Sequence, residues 1–441
     1  MADDLTIKAI PTKELFVFVL TRDIRLEEAV LDLLDNCIDG AKRLQPDEEK
    51  RLDERWVRIE FSKTEFSILD NCGGISVNTA RNYAFRFGRD PKMATTPNSI
   101  GQFGVGMKRA LLRFGRHFKI ESTTDKEHFS VTIDVKKWLQ NDEWQFEFDQ
   151  IREAYKGEVP GTKITVSGLT DDASARFPVA EFDTQLRNLI EQNAQSYIAR
   201  GLTIEVNKKP IWAKPFKILF DDNLIPALKE KNYESDGQAP VFAQFICGLG
   251  PSTPMEAGWY VACNGRVIMS ADQSWETGWD TVRTREGVGA PKFHNQFSRF
   301  RGYVSFQCRD AARLPWNTMK TGVDPDAVVY QDARREMIAL MRPVIDFLNN
   351  LDAEKDEPED ERPLTKIVDG AKPVAYNAIP QYASVFKVTT PARPPKPATT
   401  TIQFKRPKKE VEELIEAIGA GSAREAGIMA WEEALDRYVN D

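Results

Sequence analysis

Asp32, Asn36 and Asp39 stand at i, i+4 and i+7 in LEEAVLDLLDNCIDGAKRL. At about 100° per residue a helix gathers them into an arc of roughly 60°. They lie opposite an apolar stripe of Leu26, Val30, Leu33, Cys37, Ala41 and Leu44. The plain reading of such spacing is the solvated face of an amphipathic helix, but asparagine is a weak helix former. A carboxamide beside a carboxylate suits a hydrated divalent cation, because magnesium takes oxygen ligands and keeps several waters. A carboxylate one turn earlier is placed to orient or deprotonate a water.

Two further stretches carry chemistry. In ILDNCGGIS, Asp70 ends a strand and Gly73-Gly74 permits a tight turn. A strand-end carboxylate in a pocket accepts a hydrogen bond from an exocyclic amine such as the N6 amine of adenine, although Asp-Asn-Gly is also ordinary turn composition. In SIGQFGVGMKRALLRFG the spacing is Gly101-x-x-Gly104-x-Gly106-x-Lys108. This is neither the phosphate loop that ends in Gly-Lys-Ser/Thr nor the dinucleotide fingerprint. Its glycines let backbone N–H groups approach an anion, a helix from near Val105 adds its positive end, and Lys108 adds a point charge.

The elements that must position these residues follow from pattern. Residues 24–45 read as a helix stopped by Pro46, and WVRIEFSKTEFSILD reads as two strands joined by a short turn. HFKIESTTDKEHFSVTIDVKKW reads as a hairpin, GTKITVSGL as a further strand and residues 181–199 as helical. The first ~195 residues therefore predict an α+β layer of helices on a mostly antiparallel sheet. Between about 200 and 350 lie the strand-like stretches LTIEVNKKPIW, APVFAQFICGLG, GWYVACNGRVIM and FRGYVSFQC, then a helix over about 326–350. The expected division is 1–195, 196–350, a Pro- and charge-rich linker over 351–405, and a helical tail over 406–441 broken at GAGS.

The chain has 441 residues, and 29% of them are charged with a net charge of −7, which argues against a general nucleic-acid coat. The basic run FKRPKK is too short to establish DNA binding by itself. Five widely spaced cysteines without a C-x-x-C pair fit reduced thiols. No signal peptide is visible, and no stretch reaches the roughly eighteen apolar residues of a membrane span. The expectation is a cytoplasmic protein with no membrane partner.

In their order and separation, the helix acid–Asn–Asp set, D-N-x-G-G-I, I-G-Q-F-G-V-G and a later G-T strand resemble the GHKL ATPases. That superfamily includes gyrase, the ninety-kilodalton heat-shock chaperones, histidine kinases, MutL and the microrchidia ATPases. IGQFGVG looks like the chaperone version, and LLDNCIDGA like the microrchidia and MutL helix. The resemblance implies a Bergerat-type ATP-binding fold followed by a transducer-like α/β domain, with ATP and Mg2+ as cofactors. It implies Asn36 as the magnesium ligand with Asp39 following at the family spacing, Asp70 as the reader of the adenine amine, and Gly74 beneath the base. Gly101, Gly104 and Gly106 match the lid glycines over a lid at 85–106, with Ile75, Gln102, Phe103 and Val105 inside the matched motifs and Lys108 a secondary contact. Thr162 matches a threonine that supports adenine recognition through water, and Lys320, in LPWNTMKTGVD, the lysine that senses the terminal phosphate. The water-activating residue is usually Glu; here it is Asp32, one methylene shorter, with Glu28 one turn away as a substitute. Cys72 replaces the first glycine of D-x-G-x-G.

The implied function is an ATP-binding, slowly hydrolysing switch that closes a lid and dimerises through its N-terminal segments. Its partner is DNA or a protein complex. The alternative is a nucleotide-binding scaffold without turnover. A histidine kinase is disfavoured, because His117, His128 and His294 do not precede the domain on a dimerisation helix.

Overall fold

Helix α1 (Leu26–Leu44) forms because Ala29, Val30, Leu33, Leu34, Ile38 and Ala41 recur on one side and are buried together. Glu27 and Glu28 in its first turn and Lys42 and Arg43 in its last match the helix dipole. The computed structural model describes residues 11–47, 50–90, 96–281, 289–380, 383–390, 402–403 and 405–439. The part of the expected lid at 91–95, and the linker stretch at 391–400, lie outside the described residues.

After α1 come β1 (Trp56–Phe61) and β2 (Phe66–Asp70), α2 (Gly106–Phe114), β3 (Gly115–Thr123), β4 (Glu127–Asp134), β5 (Gln150–Glu153) and β6 (Gly161–Leu169). Then follow α3 (Ala180–Asn193), β7 (Thr203–Val206) and β8 (Lys209–Ile211). The eight strands form one sheet in the order β5-β4-β3-β6-β2-β1-β7-β8. It is antiparallel throughout except for the parallel pair β1–β7. Helices α1 and α2 pack on each other, which brings the Asn36 helix against the end of the glycine loop.

Two short strands, β9 (Lys217–Phe220) and β10 (Leu224–Ile225), lead to β11 (Ala227–Tyr233), β12 (Val241–Leu249), β13 (Gly258–Cys263), β14 (Arg266–Asp272) and β15 (Phe300–Gln307). These last five form a second sheet in the order β11-β12-β15-β13-β14. Helix α4 (Val328–Ala353) covers it through buried Tyr330, Met337, Met341 and Val344. GWYVACNGRVIM, read as one strand-like stretch, is two strands joined by Asn264 and Gly265 at φ 48° and 87°. That Asn-Gly pair is a strong hairpin signal.

Residues 352–390 differ from the expected linker. Helix α5 (Pro363–Gly370) buries Val368, and its first N–H groups at Leu364 and Thr365 donate to the Glu354 carboxylate at 3.1 and 3.0 Å. Strand β16 (Lys372–Ala375) pairs with β9, and β17 (Lys387–Val388) with β10. Apolar Val368, Val374, Tyr376 and Ile379, scattered through a proline- and charge-rich composition, supply enough burial to order the segment.

The chain divides into two compact units, residues 1–390 and 391–441. In the second, α6 (Lys408–Ile418) and α7 (Ala423–Tyr438) form a helical pair broken at GAGS. Gly419 ends α6 in the left-handed region at φ 68°, and Ser422 caps α7 by accepting from Glu425 N–H.

Candidate active site

The end of β2, the start of β6 and the exposed edge of α1 meet at one end of the first sheet. Asp70 is buried there, and its Oδ1 accepts the Cys72 N–H at 2.7 Å. Burial pushes the Asp70 carboxyl up, opposed by N–H donation from Cys72, the Cys37 thiol and the Thr162 N–H. A carboxylate with this burial gains from a further donor. Gly74 has φ +69°, and a Cβ there would stand 2.0 Å from the Thr123 carbonyl oxygen, so only glycine fits the turn. The Ile75 N–H donates to Ser122 Oγ at 2.8 Å, and Ser122 Oγ lies 2.9 Å from Thr162 Oγ1. Asp70, Gly74, Ile75 and Thr162 are thus brought together.

On α1, Asn36 is exposed, while Asp32 and Asp39 are buried rather than on the solvated face that their spacing alone suggests. The reason lies in partners from other elements. Asp39 accepts the Ile100 N–H at 2.8 Å and the Gly101 N–H at 2.7 Å, so it tethers the first residues of the glycine loop. Asp32 pairs with Arg109 of α2, Nη2 to Oδ2 at 2.6 Å. Glu28, considered as a substitute for Asp32, is engaged by Arg25 at 2.8 Å. Asn36 Nδ2 donates to the Asp32 carbonyl at 2.9 Å, which leaves its Oδ1 as an uncharged oxygen on the exposed edge. Among the described residues no group of three or more His, Cys, Asp or Glu side chains could hold a metal. A magnesium ion on Asn36 would therefore complete its shell from waters and substrate oxygens, which is how that ion is usually held.

The glycine loop closes over this edge. Gly104 lies at φ +67° against the Gly88 and Arg89 backbone, and Val105 precedes α2. A Cβ on Gly106 would stand 3.3 Å from the Asp32 Cγ, so the start of α2 lies against that carboxylate. Phe103 is half-buried, and Gln102 Oε1 accepts the Trp316 Nε1–H at 2.8 Å. Asn264, in the turn between β13 and β14, donates to the Ser99 carbonyl at 3.0 Å. The β13–β14 turn and the loop after β15 thus touch the glycine loop at Ser99 and Gln102.

Lys320 belongs to the same contact. Asn317 Oδ1 accepts the N–H groups of Met319 and Thr321, each at 3.1 Å, and Lys320 takes φ +55° in that tight turn. Its Nζ lies 2.9 Å from Asp35 Oδ2, an oxygen that also pairs with Arg266. All three side chains are buried. Burial and the adjacent Arg266 push the Lys320 ammonium down to about 8, while burial pushes Arg266 down to about 10.

Lys108 departs from its expected role as a phosphate contact. Its Nζ donates to the Ala84 carbonyl at 3.0 Å within a pocket lined by Phe85, Phe87, Trp138 and Phe146. Burial alone pushes its ammonium down to about 8 from 10.5. Below pH 8 the folded chain bears the full penalty of burying that charge. Between about 8 and 10.5 the folded state loses the proton before the unfolded state does, and stability rises with pH. Lys108→Met is therefore expected to stabilise the chain by about 2 kcal/mol at pH 7, with the gain shrinking as pH rises towards 10.5. Urea unfolding at pH 7 and at the alkaline end of that window checks this.

Residues 24–159 match the family described as "Histidine kinase-, DNA gyrase B-, and HSP90-like ATPase". With the helices on a largely antiparallel sheet, that match supports residues 24–159 as a domain of the GHKL superfamily, whose domains bind ATP. A search of curated proteins returns no match. Among the described residues no helix is long and apolar enough to cross a membrane.

Asp35, Arg109, Arg266 and Trp316 were not singled out from the sequence. Asp35 is three residues from Asp32 and so borders the same helix edge. Arg109 is placed by the phase of α2, in which Lys108 shares a face with buried Leu111 and Leu112 and Arg109 does not. Arg266 and Trp316 come from the second sheet and its loops, and local pattern carries no signal for them.

Proposed function

We propose that the chain is an ATP-driven switch in which residues 1–195 bind and slowly hydrolyse ATP and residues 196–350 respond to the terminal phosphate. The observation that carries this reading is the convergence of Asp70, Gly74 and Thr162 with the Asp32–Asn36 edge of α1 beneath the glycine loop. Asp70 accepts the adenine amine, and Gly74 leaves room beneath the base. Asn36 would hold magnesium through Oδ1, and the ion would neutralise phosphate charge when bound. Gly101, Gly104 and Gly106 let the loop fold over the phosphates. Asp32 orients a water and takes its proton, and positioning with charge neutralisation supplies most of what phosphoryl transfer needs. Lys320 leaves Asp35 for the terminal phosphate and carries the nucleotide state to the second sheet, as an order–disorder change of the lid couples to contacts with that phosphate.

Dimerisation through the N-terminal segment is supported by Phe18 and Val19, which are 52% and 55% exposed beside exposed Leu15 and Leu20. The partner is DNA or a protein complex, and the compartment is the cytoplasm. A second reading, a nucleotide-binding scaffold without turnover, is favoured by the ion pair that occupies Asp32.

Asp70→Asn tests the site. Asparagine presents an amide where an acceptor is needed, so affinity for ATP and ADP is expected to fall about tenfold or more, while the fold is retained. Calorimetric titration with ATP, ADP and GTP measures this. Unchanged ATP affinity in the variant would remove Asp70, and with it the adenine end of the site.

A further inference from the structure

Arg109 has a donor to spare at the place where phosphate charge would have to be met. Its Nη2 is committed to Asp32 at 2.6 Å, and its Nη1 lies 2.7 Å from the sulfur of Met319, the residue before Lys320. Its Nε is buried and meets no hydrogen-bond partner among the described residues. Buried N–H groups are nearly always paired, so an orphan beside a candidate general base marks a missing acceptor. Arg266 Nε, in the adjoining cluster, is orphaned in the same way.

The donors left over in the cluster point to the kind of acceptor. Arg109, Arg266 and Lys320 face Asp32 and Asp35, while Asp39 spends both oxygens on backbone N–H groups. Asp39 keeps its charge, so three buried or nearly buried cations meet three carboxylates, but with both Asp39 oxygens committed to backbone N–H groups the unspent hydrogen-bonding capacity of the cluster is donor capacity, on Arg109 Nε and Arg266 Nε. The side chains of Lys320 and Arg266 are 8% and 3% exposed, so solvent does little to satisfy donors here or to screen their charge. An anion with several acceptor oxygens suits such a site, and the planar guanidinium fork suits phosphate in particular.

We propose that Arg109 contacts the terminal phosphate of a bound nucleoside triphosphate through Nε, while Nη2 keeps hold of Asp32. The guanidinium then fixes the distance between the base and the phosphorus, and the shorter arm of aspartate is drawn towards the reacting group by the residue that touches both. This rests on the nucleotide-site reading and adds to it a phosphate contact within the first sheet's own helices, separate from Lys320. Because α2 begins at the end of the glycine loop, Arg109 reports the position of that loop directly to the Asp32 carboxylate.

The test is equilibrium binding of Mg-ADP and of a magnesium complex of a non-hydrolysable imido analogue of ATP. It compares the parent chain, Arg109→Gln and Arg109→Lys. Losing a charge-assisted hydrogen bond to the terminal phosphate is expected to weaken analogue binding about tenfold or more in Arg109→Gln. Binding of ADP stays within about twofold, and Arg109→Lys falls between. The ratio of the two affinities is the readout, because a residue that only steadies Asp32 leaves it unchanged. An unchanged ratio in both variants, with the parent binding both nucleotides, overturns the role of Arg109 and leaves the nucleotide site standing. A parent chain that binds neither nucleotide overturns both.

Discussion

Asp32→Asn is expected to reduce ATP hydrolysis at least about a hundredfold while leaving ADP affinity within about twofold. The amide is nearly isosteric with the carboxylate, so the α1–α2 contact at Arg109 Nη2 keeps an acceptor oxygen. What it loses is the capacity to take a proton, and general-base assistance of this kind is worth roughly 10²–10⁴ in rate. Glu28 is not expected to rescue the variant, because its carboxylate is held by Arg25 at the start of the helix. Steady-state phosphate release, with nucleotide affinity measured on the same samples, separates loss of chemistry from loss of binding. Parent-like hydrolysis in Asp32→Asn would assign the base elsewhere, whereas binding without hydrolysis in the parent itself would favour the scaffold reading.

Asp35→Ala is expected to cost about 3–5 kcal/mol of stability, the usual consequence of breaking a buried ion pair from one side. Asp35 is the carboxylate shared by Arg266 and Lys320, and its removal strands two buried cations. The two differ in how they escape. Lys320, already pushed down to about 8, sheds its proton readily, whereas Arg266, at about 10, stays charged at neutral pH. Removing the remaining charge as well, in Asp35→Ala/Arg266→Met, is expected to recover more than half of the loss. Urea denaturation of the parent, single and double variants checks both statements, and non-additivity is itself the signature of a coupled pair. Losing Asp35 lowers the lysine further, so raising the pH towards 8 is expected to lessen the single variant's deficit, because there the variant's folded state has released the lysine proton and the parent's has not; above 8 both chains gain alike.

Much of the fold was legible because apolar periodicity marks an element regardless of what it packs against. The stripe of α1, the β1–β2 and β3–β4 pairs and the whole of β6 coincide with stretches read from alternation or helical spacing. The segment 352–390 escaped because four apolar residues distributed among prolines and charges make no period, and their burial depends on β9 and β10, more than 140 residues earlier.

Within the candidate site, the residues presented by local turns were legible: Asp70 and Gly74 at the strand end, Asn36 on the helix edge. The cations were not. Arg109 reaches Asp32 from 77 residues away, and Lys320 reaches Asp35 from 285. Ion pairing across such separations leaves no trace in spacing. Lys108 was the reverse case, a lysine beside glycines whose helical phase, shared with Leu111 and Leu112, turns it into the aromatic pocket.

The most direct test of the central claim is a titration of the parent chain with Mg-ATP, followed by measurement of phosphate release from the same complex. Saturable binding of one ATP per chain with slow phosphate release is the predicted result. No measurable binding of ATP or ADP, in a chain shown to be folded, would contradict it.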